Sequence, residues 1–406
     1  MRKLWYSPTL RTAVVYGAAG LGFSGANLIM AQVLPTAEYG VFTLVIALSN
    51  LGSTLAPAGV DGIVQRRSLD AGPELLRRTM AASVAVGVVF TIVAGLAYSI
   101  TLPMVAIVLT STIAGGAMVV AGAQFQSERR FGLSLMLTQS PNLVLLIAGL
   151  VVLASRAQSA WVPLAISGLG FVVAGTWGWG LLFRERAQKG YSETRFPWTE
   201  ALAFGGLNAA GLVLTQLDRL VIPHVLPLGD LATYGVLAAI AGSFFRVLQM
   251  GVGYTLVARL RVSRDTPERR HLIVQEAKLV IVLVIACAGV IWLITPWVER
   301  WLLHDKYHLT GSLLVAAVVS GTSKILGSFT RATVTALATP AELSMVSWLG
   351  WVSVALAIPA AMYGARWGLA GVIYGVALGW LLRALAGAYV TLRHLKLPVS
   401  IPVTAP

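Results

Sequence analysis

Four ionisable side chains fall inside apolar runs of this 406-residue chain: Asp218, Arg219, Arg246 and Lys324. Charge at membrane depth is costly, so such groups face a polar cavity or a partner, or snorkel to an interface. At helical spacing Gly211, Thr215 and Asp218 share one face, and Asn208, Thr215 and Arg219 form an overlapping polar stripe. In a water-filled lumen the three cations would favour an anionic or phosphate-bearing cargo, because a guanidinium fork binds two oxygens at once. Asp218 would there be a proton or sodium site, although Arg219 beside it would hold it ionised. A structural ion pair at Asp218, with Arg246 and Lys324 snorkelling, accounts for the same residues without a cargo, and both readings stay open. Among uncharged groups, Asn27, Gln32, Asn50, Gln124, Gln139 and Asn142 lie at or near membrane depth, suited either to a polar cargo or to interhelical hydrogen bonds. The candidate binding set is therefore Arg219, Arg246, Lys324, Asn27 and Asn208, with Asp218 the ion-coupling candidate.

Other chemistry is poorly supplied. No Walker motif, Gly-x-Ser-x-Gly or His-Glu-x-x-His occurs, so nothing supports ATP hydrolysis or a familiar hydrolase, and the expectation is a protein that is not an enzyme. The lone Cys287 excludes a disulfide framework and a thiol metal site. His304, Asp305 and His308 share a loop without a metal-binding spacing, and no motif asks for a cofactor.

The elements that must position these residues follow from composition. With 57% hydrophobic and 11% charged residues the chain is too apolar for a soluble domain and is an integral membrane protein. Runs of about 20 apolar residues cross a bilayer as helix. Twelve such runs occur, at 11–33, 39–60, 79–99, 102–123, 132–154, 160–183, 201–225, 230–254, 277–296, 309–331, 344–364 and 367–391. Counting Arg331 and Arg383 with the span ends, 23 of the 30 cations lie on the side of both termini and only 4 opposite, which puts the termini in the cytoplasm of a bacterial inner membrane. The net charge of +14 is explained by those loops and needs no nucleic acid. External loops are too short for a catalytic domain.

A repeat organises the spans. Tyr39-Gly40-Val41, Arg66 and Asp70 recur 195 positions later as Tyr234-Gly235-Val236, Arg261 and Asp265. An even number of spans per half gives two parallel repeats: an all-α polytopic membrane protein of twelve helices, in two six-helix lobes around a central cavity. The lobes are 1–183 and 201–406, joined by a linker at 184–200. Asp70 to Arg78 and Asp265 to Arg270 each read as a capped, proline-initiated short basic helix lying on anionic membrane lipids.

The segment Leu34-Pro35-Thr36-Ala37-Glu38-Tyr39-Gly40-Val41-Phe42, then Gly59 and Arg66-Arg67, resembles the polysaccharide transporter or O-antigen flippase family of the multidrug/oligosaccharidyl-lipid/polysaccharide exporter superfamily. Gln216 to Ile222, Leu231 to Val236, Ala336 to Pro340 and Arg366 to Val372 are similar to it in order and spacing. The resemblance implies alternating access that flips a polyprenyl-diphosphate-linked oligosaccharide to the periplasmic leaflet for surface polysaccharide synthesis. It also implies a polysaccharide polymerase or glycosyltransferases as partners, with Arg219, Arg246 and Lys324 drawing the diphosphate or acidic sugars. An ion-coupled secondary transporter of a small anion or drug, of the major facilitator or multidrug exporter type, is the alternative.

Overall fold

The structure, a computed structural model, describes residues 8–67, 69, 71–186, 196–263 and 266–396. Asp70, Asp265 and most of the linker, 187–195, lie outside them. Among the described residues there is no strand. The helices are α1 (Pro8–Val33), α2 (Thr36–Leu55), α3 (Val60–Arg67), α4 (Pro73–Tyr98), α5 (Leu102–Ser127), α6 (Phe131–Ser155) and α7 (Trp161–Arg186). The chain continues with α8 (Trp198–Val225), α9 (Leu228–Val262), α10 (Thr266–Trp297), α11 (Gly311–Leu337), α12 (Pro340–Gly364) and α13 (Gly368–Lys396).

Apart from the eight-residue α3, each helix answers one of the twelve expected spans, because an apolar run in lipid must satisfy its backbone within itself. Among the described residues, eight stretches, or nine if the bent pair α2–α3 counts as one, are by length and composition apolar enough to cross a membrane, and one of them, 341–395, contains two helices. Helix α8, which carries Asn208, Asp218 and Arg219, is not among them.

Start signals are local. Pro73 opens α4 in its first turn. At α12, Thr339 and Glu342 form a reciprocal capping box ahead of Pro340, the Thr339 hydroxyl accepting from the Glu342 N–H and the Glu342 carboxylate accepting from the Thr339 N–H at 2.9 Å. The expected short basic helices are not separate elements. Pro73 to Arg78 is the first turn of α4, and Thr266 to Arg270 the first turns of α10, because nothing in either segment interrupts the helix before the apolar run begins. A short basic helix does occur, one step earlier, as α3.

The two copies of the repeat differ there. The first copy breaks at Ala56 to Gly59, bends by 45° and resumes as α3, with Ala58 at φ 49° and Gly59 at φ 85°. The second copy, without a proline at that point, runs unbroken for 35 residues as α9.

Packing divides the chain into two compact units: unit one is 1–239 with 301–308, and unit two is 240–300 with 309–406. In unit one, the α2–α3 break is held against the start of α8. Gly59 approaches the Ala201 carbonyl so closely that a Cβ there would lie 1.8 Å from its oxygen. Arg66 and Arg67 then grip the two Glu200 oxygens at 2.9 and 2.6 Å, a half-exposed clamp that contributes about 1 kcal/mol. In unit two, Gly364 and Gly371 bring α12 and α13 into backbone contact, where a Cβ on Gly371 would meet the Gly364 oxygen at 2.0 Å.

Candidate functional site

Unit one holds a buried polar cluster where the two Tyr-Gly-Val blocks meet. Gly40 of α2 packs on the Leu228 backbone, and Gly235 of α9 packs on the Tyr39 ring and the Thr43 hydroxyl. Small residues at equivalent positions of the repeat let the two helix starts approach closely. Beneath them, Tyr234 donates its hydroxyl proton to Asp218 Oδ2 at 2.8 Å, and Asp218 is fully buried. Arg219 is 8% exposed and donates from Nη1 to Gln216 Oε1 at 3.1 Å, one turn back on the same helix. Its Nε makes no hydrogen bond, and the buried Tyr39 hydroxyl makes none either. Asp218 and Arg219 are therefore fixed in protein rather than held in an open lumen. Asn27 is buried too, and its amide donates to the Phe23 carbonyl at 2.8 Å, within its own helix. Asn208 is half-buried on α8, and Thr215 is exposed on the same helix with its hydroxyl bonded back to Gly211.

The Leu34 to Phe42 segment has a structural explanation. Glu38 accepts a hydrogen bond from the Ala160 N–H at 2.7 Å and so places a carboxylate at the start of α7. Lys306, from the loop after α10, donates to the Ala31 carbonyl at 2.8 Å and to the Leu34 carbonyl, putting an ammonium on the C-terminal end of α1. Burial pushes that ammonium below the usual lysine range. Beside it, Tyr307 packs edge-on to Tyr39, and burial pushes its phenol up from 10 to about 12. A group whose folded pKa is raised stabilises fully below its unfolded value, and the contribution is lost as pH rises through the folded one. Stability should therefore fall between pH 10 and 12, and Tyr307→Phe should flatten that limb in a thermal-unfolding pH series; an unchanged limb would exclude Tyr307 as its source.

In unit two the Phe245 ring packs on Gly321 so tightly that a Cβ there would lie 2.3 Å from it. This joins α9 to α11 at the level of Arg246, the next residue after Phe245, and Lys324, one turn beyond Gly321. Both cations are half-buried. The structure thus brings Arg246 and Lys324 to one depth in unit two, while Asp218, Arg219, Asn27 and Asn208 belong to unit one.

One residue was misplaced by counting charges at span ends. Arg383 lies fifteen residues after the start of α13 and thirteen before its end, inside the helix rather than at its mouth. Its Nη1 is buried without a hydrogen-bond partner, as is Nε1 of Trp380 one turn earlier. The available signal was the eight residues separating Arg383 from the end of its apolar run at 391, too far for a flexible side chain to be assumed outside.

No family model and no curated relative matches the sequence. Solved structures do. An inward-facing multidrug resistance MATE family transporter of the MOP superfamily aligns with TM-score 0.66 at 12% identity, over 95% of this chain and 98% of that one. An outward-facing multidrug resistance MATE transporter of the same superfamily gives 0.57 at 13% identity over 97% of each chain. A eukaryotic MATE transporter gives 0.58 at 11% identity over 95% of each. Among the described residues the chain is all-α, and this multi-pass membrane protein has the fold of those MATE family transporters.

Proposed function

We propose that this chain is an alternating-access exporter whose cargo carries negative charge. The multidrug exporters among its structural neighbours support the ion-coupled secondary transporter of a small anion or drug, in its multidrug exporter form rather than its major facilitator form. The observation that carries the charge of the cargo is the placement of Arg246 and Lys324 at one depth on packed helices of unit two. Flipping of a polyprenyl-diphosphate-linked oligosaccharide is the second reading, favoured by the same cations and by the Leu34 to Phe42 segment. Its membrane would be the bacterial inner membrane with both termini cytoplasmic, and glycosyltransferases or a polymerase would act beside it.

The test is transport by the full chain in vesicles under an imposed proton or sodium gradient. An anionic dye, a cationic dye and a labelled polyprenyl-diphosphate oligosaccharide are offered separately. The expected result is movement of at least one anionic probe, cut at least tenfold, about 1.4 kcal/mol or more in the barrier, by Arg246→Ala and by Lys324→Ala. Movement of the cationic dye alone would overturn the proposal.

A further inference from the structure

The boundary between the two packing units does not follow the boundary between the two copies of the repeat. From the second copy, unit one takes α8, the start of α9 and the segment 301–308. The odd-numbered of the twelve spans, α1, α4, α8 and α10 among them, end on the face opposite the termini, and within unit one the copies clasp each other there twice. In the first clasp α4, third span of its copy, reaches α8, first span of the other. Tyr98, the last residue of α4, donates its hydroxyl proton to the Leu220 carbonyl at 2.9 Å, and its ring centroid lies 4.7 Å from that of His224. Pro223 lies in the same stretch of α8 and removes a backbone donor from it. In the second clasp the roles are exchanged: the chain leaving α10, third span of the second copy, reaches α1, first span of the first. Lys306 donates to the Ala31 and Leu34 carbonyls, and the Tyr307 hydroxyl donates to the Ala31 carbonyl at 3.4 Å. The correspondence is written in the repeat, since Pro73-Glu74 opens α4 as Pro267-Glu268 opens α10, and Val-Leu-Pro ends α1 at 33–35 as it ends α8 at 225–227. Each clasp also adjoins left-handed backbone. Ser99, after Tyr98, has φ 49°, and His304 and Asp305, before Lys306, have φ 51° and 57°. Non-glycine residues in that region store strain, which surrounding contacts must hold in place. A π-helix, Val298–Leu302, leads into the second loop, and Glu299 closes the base of that loop by accepting from the Leu309 N–H.

We infer that the Tyr98–Leu220 and Lys306–Ala31 contacts are two exchanged latches that hold this face shut and must release for it to open. A gate passes between two states of similar free energy, so the contacts that close it have to be few and reversible. Hydrogen bonds from two loop-end side chains to backbone carbonyls meet that need, and the left-handed residues beside them favour release once the bonds break. The exchange follows from duplication: parallel copies share one third span, so each lays a latch on the other's first span. This deepens the exporter reading and rests on it, by naming the device that controls access to one face.

The test uses the full chain in nanodiscs with Cys287→Ser, so that an introduced cysteine is the only thiol. Ala31, fully buried at the second latch, becomes the reporter through Ala31→Cys and a water-soluble maleimide. Lys306→Met, which keeps the side-chain length and loses the ammonium, should speed labelling about tenfold or more, the effect of losing a hydrogen bond from a charged donor. Tyr98→Phe loses only a hydroxyl and should speed it about threefold or more, and it carries the test should Lys306→Met fail to fold. Because Tyr98 belongs to the other latch, faster labelling at residue 31 in that variant reports opening of the face and not loosening around Lys306. In vesicles, Tyr98→Cys with His224→Cys, bridged by a short bis-methanethiosulfonate reagent, should slow transport about tenfold or more, and a reductant should restore it. Unchanged labelling in both variants, or full transport by the bridged protein, overturns the latches. Faster labelling in a protein that moves none of the probes would refute the exporter reading alone, and transport with unchanged labelling would refute the latches alone.

Discussion

Gly59→Ala is expected to remove most of the folded protein from the membrane. Two penalties coincide at this position. The backbone sits at φ 85°, which L residues rarely adopt, and the added Cβ would lie 1.8 Å from the Ala201 oxygen and 2.8 Å from the Gly205 nitrogen. Those are backbone atoms of α8, so relief requires moving a helix and not a side-chain tip. The combined cost should reach about 4 kcal/mol or more, at the top of the range for single substitutions and a large share of the roughly 5–15 kcal/mol that keeps a domain folded. Gly20, inside α1 with nothing within 4 Å of its would-be Cβ, is the control. There alanine should stabilise slightly, by about 0.5–1 kcal/mol, since glycine is a poor helix former. Membrane yield and thermal midpoint measure both, and equal behaviour of the two variants would show that the α2–α3 break is not pinned to α8.

Asp218→Ala should be the most damaging change in the buried polar cluster. It removes the carboxylate that accepts from the buried Tyr234 hydroxyl. Loss of a buried hydrogen bond to a charged acceptor costs about 1.5–3 kcal/mol. Asp218→Asn separates architecture from ion coupling. Its amide oxygen still accepts from Tyr234, so the fold should persist with a loss of about 1 kcal/mol, the difference between a charged and a neutral acceptor. Loss of gradient-driven transport in a folded Asn variant assigns Asp218 to coupling, and wild-type transport by the same variant removes it from the mechanism.

What was legible in the sequence was what the bilayer dictates. Each apolar run had to close its own hydrogen bonds, so helix positions followed from hydrophobicity, and the proline-initiated segment after Asp70 marks the start of α4 at Pro73. The break after α2 was not written: the run at 39–60 reads as one span, and nothing local announced that the chain would break at Ala56 to Gly59 and resume as α3. The functional reading of single residues was harder because it depends on contacts between distant segments. Glu38 meets Ala160 across 122 positions, and Lys306 meets Ala31 across 275. No periodicity encodes such pairs. For the same reason the Leu34 to Phe42 segment, read first as a family signature, is in the structure a set of helix-end and close-packing contacts. Arg383 was misplaced because a rule about loop charges cannot see the Trp380 ring that keeps the arginine inside.

The loop holding Lys306 also bears on how the protein is made. Unit one is not one stretch of chain: 301–308 belongs to it, although the 61 residues before that segment belong to unit two. A growing chain could therefore insert α1 to α8 and still leave the end of α1 unfinished until Lys306 has been translated. Residues brought together over such sequence separations form slowly. A nascent chain arrested before residue 301 should expose the Ala31 and Leu34 carbonyls to chaperones or proteases, and one arrested well beyond residue 308 should protect them. Completion of the first-made unit is in this way deferred to the last third of synthesis.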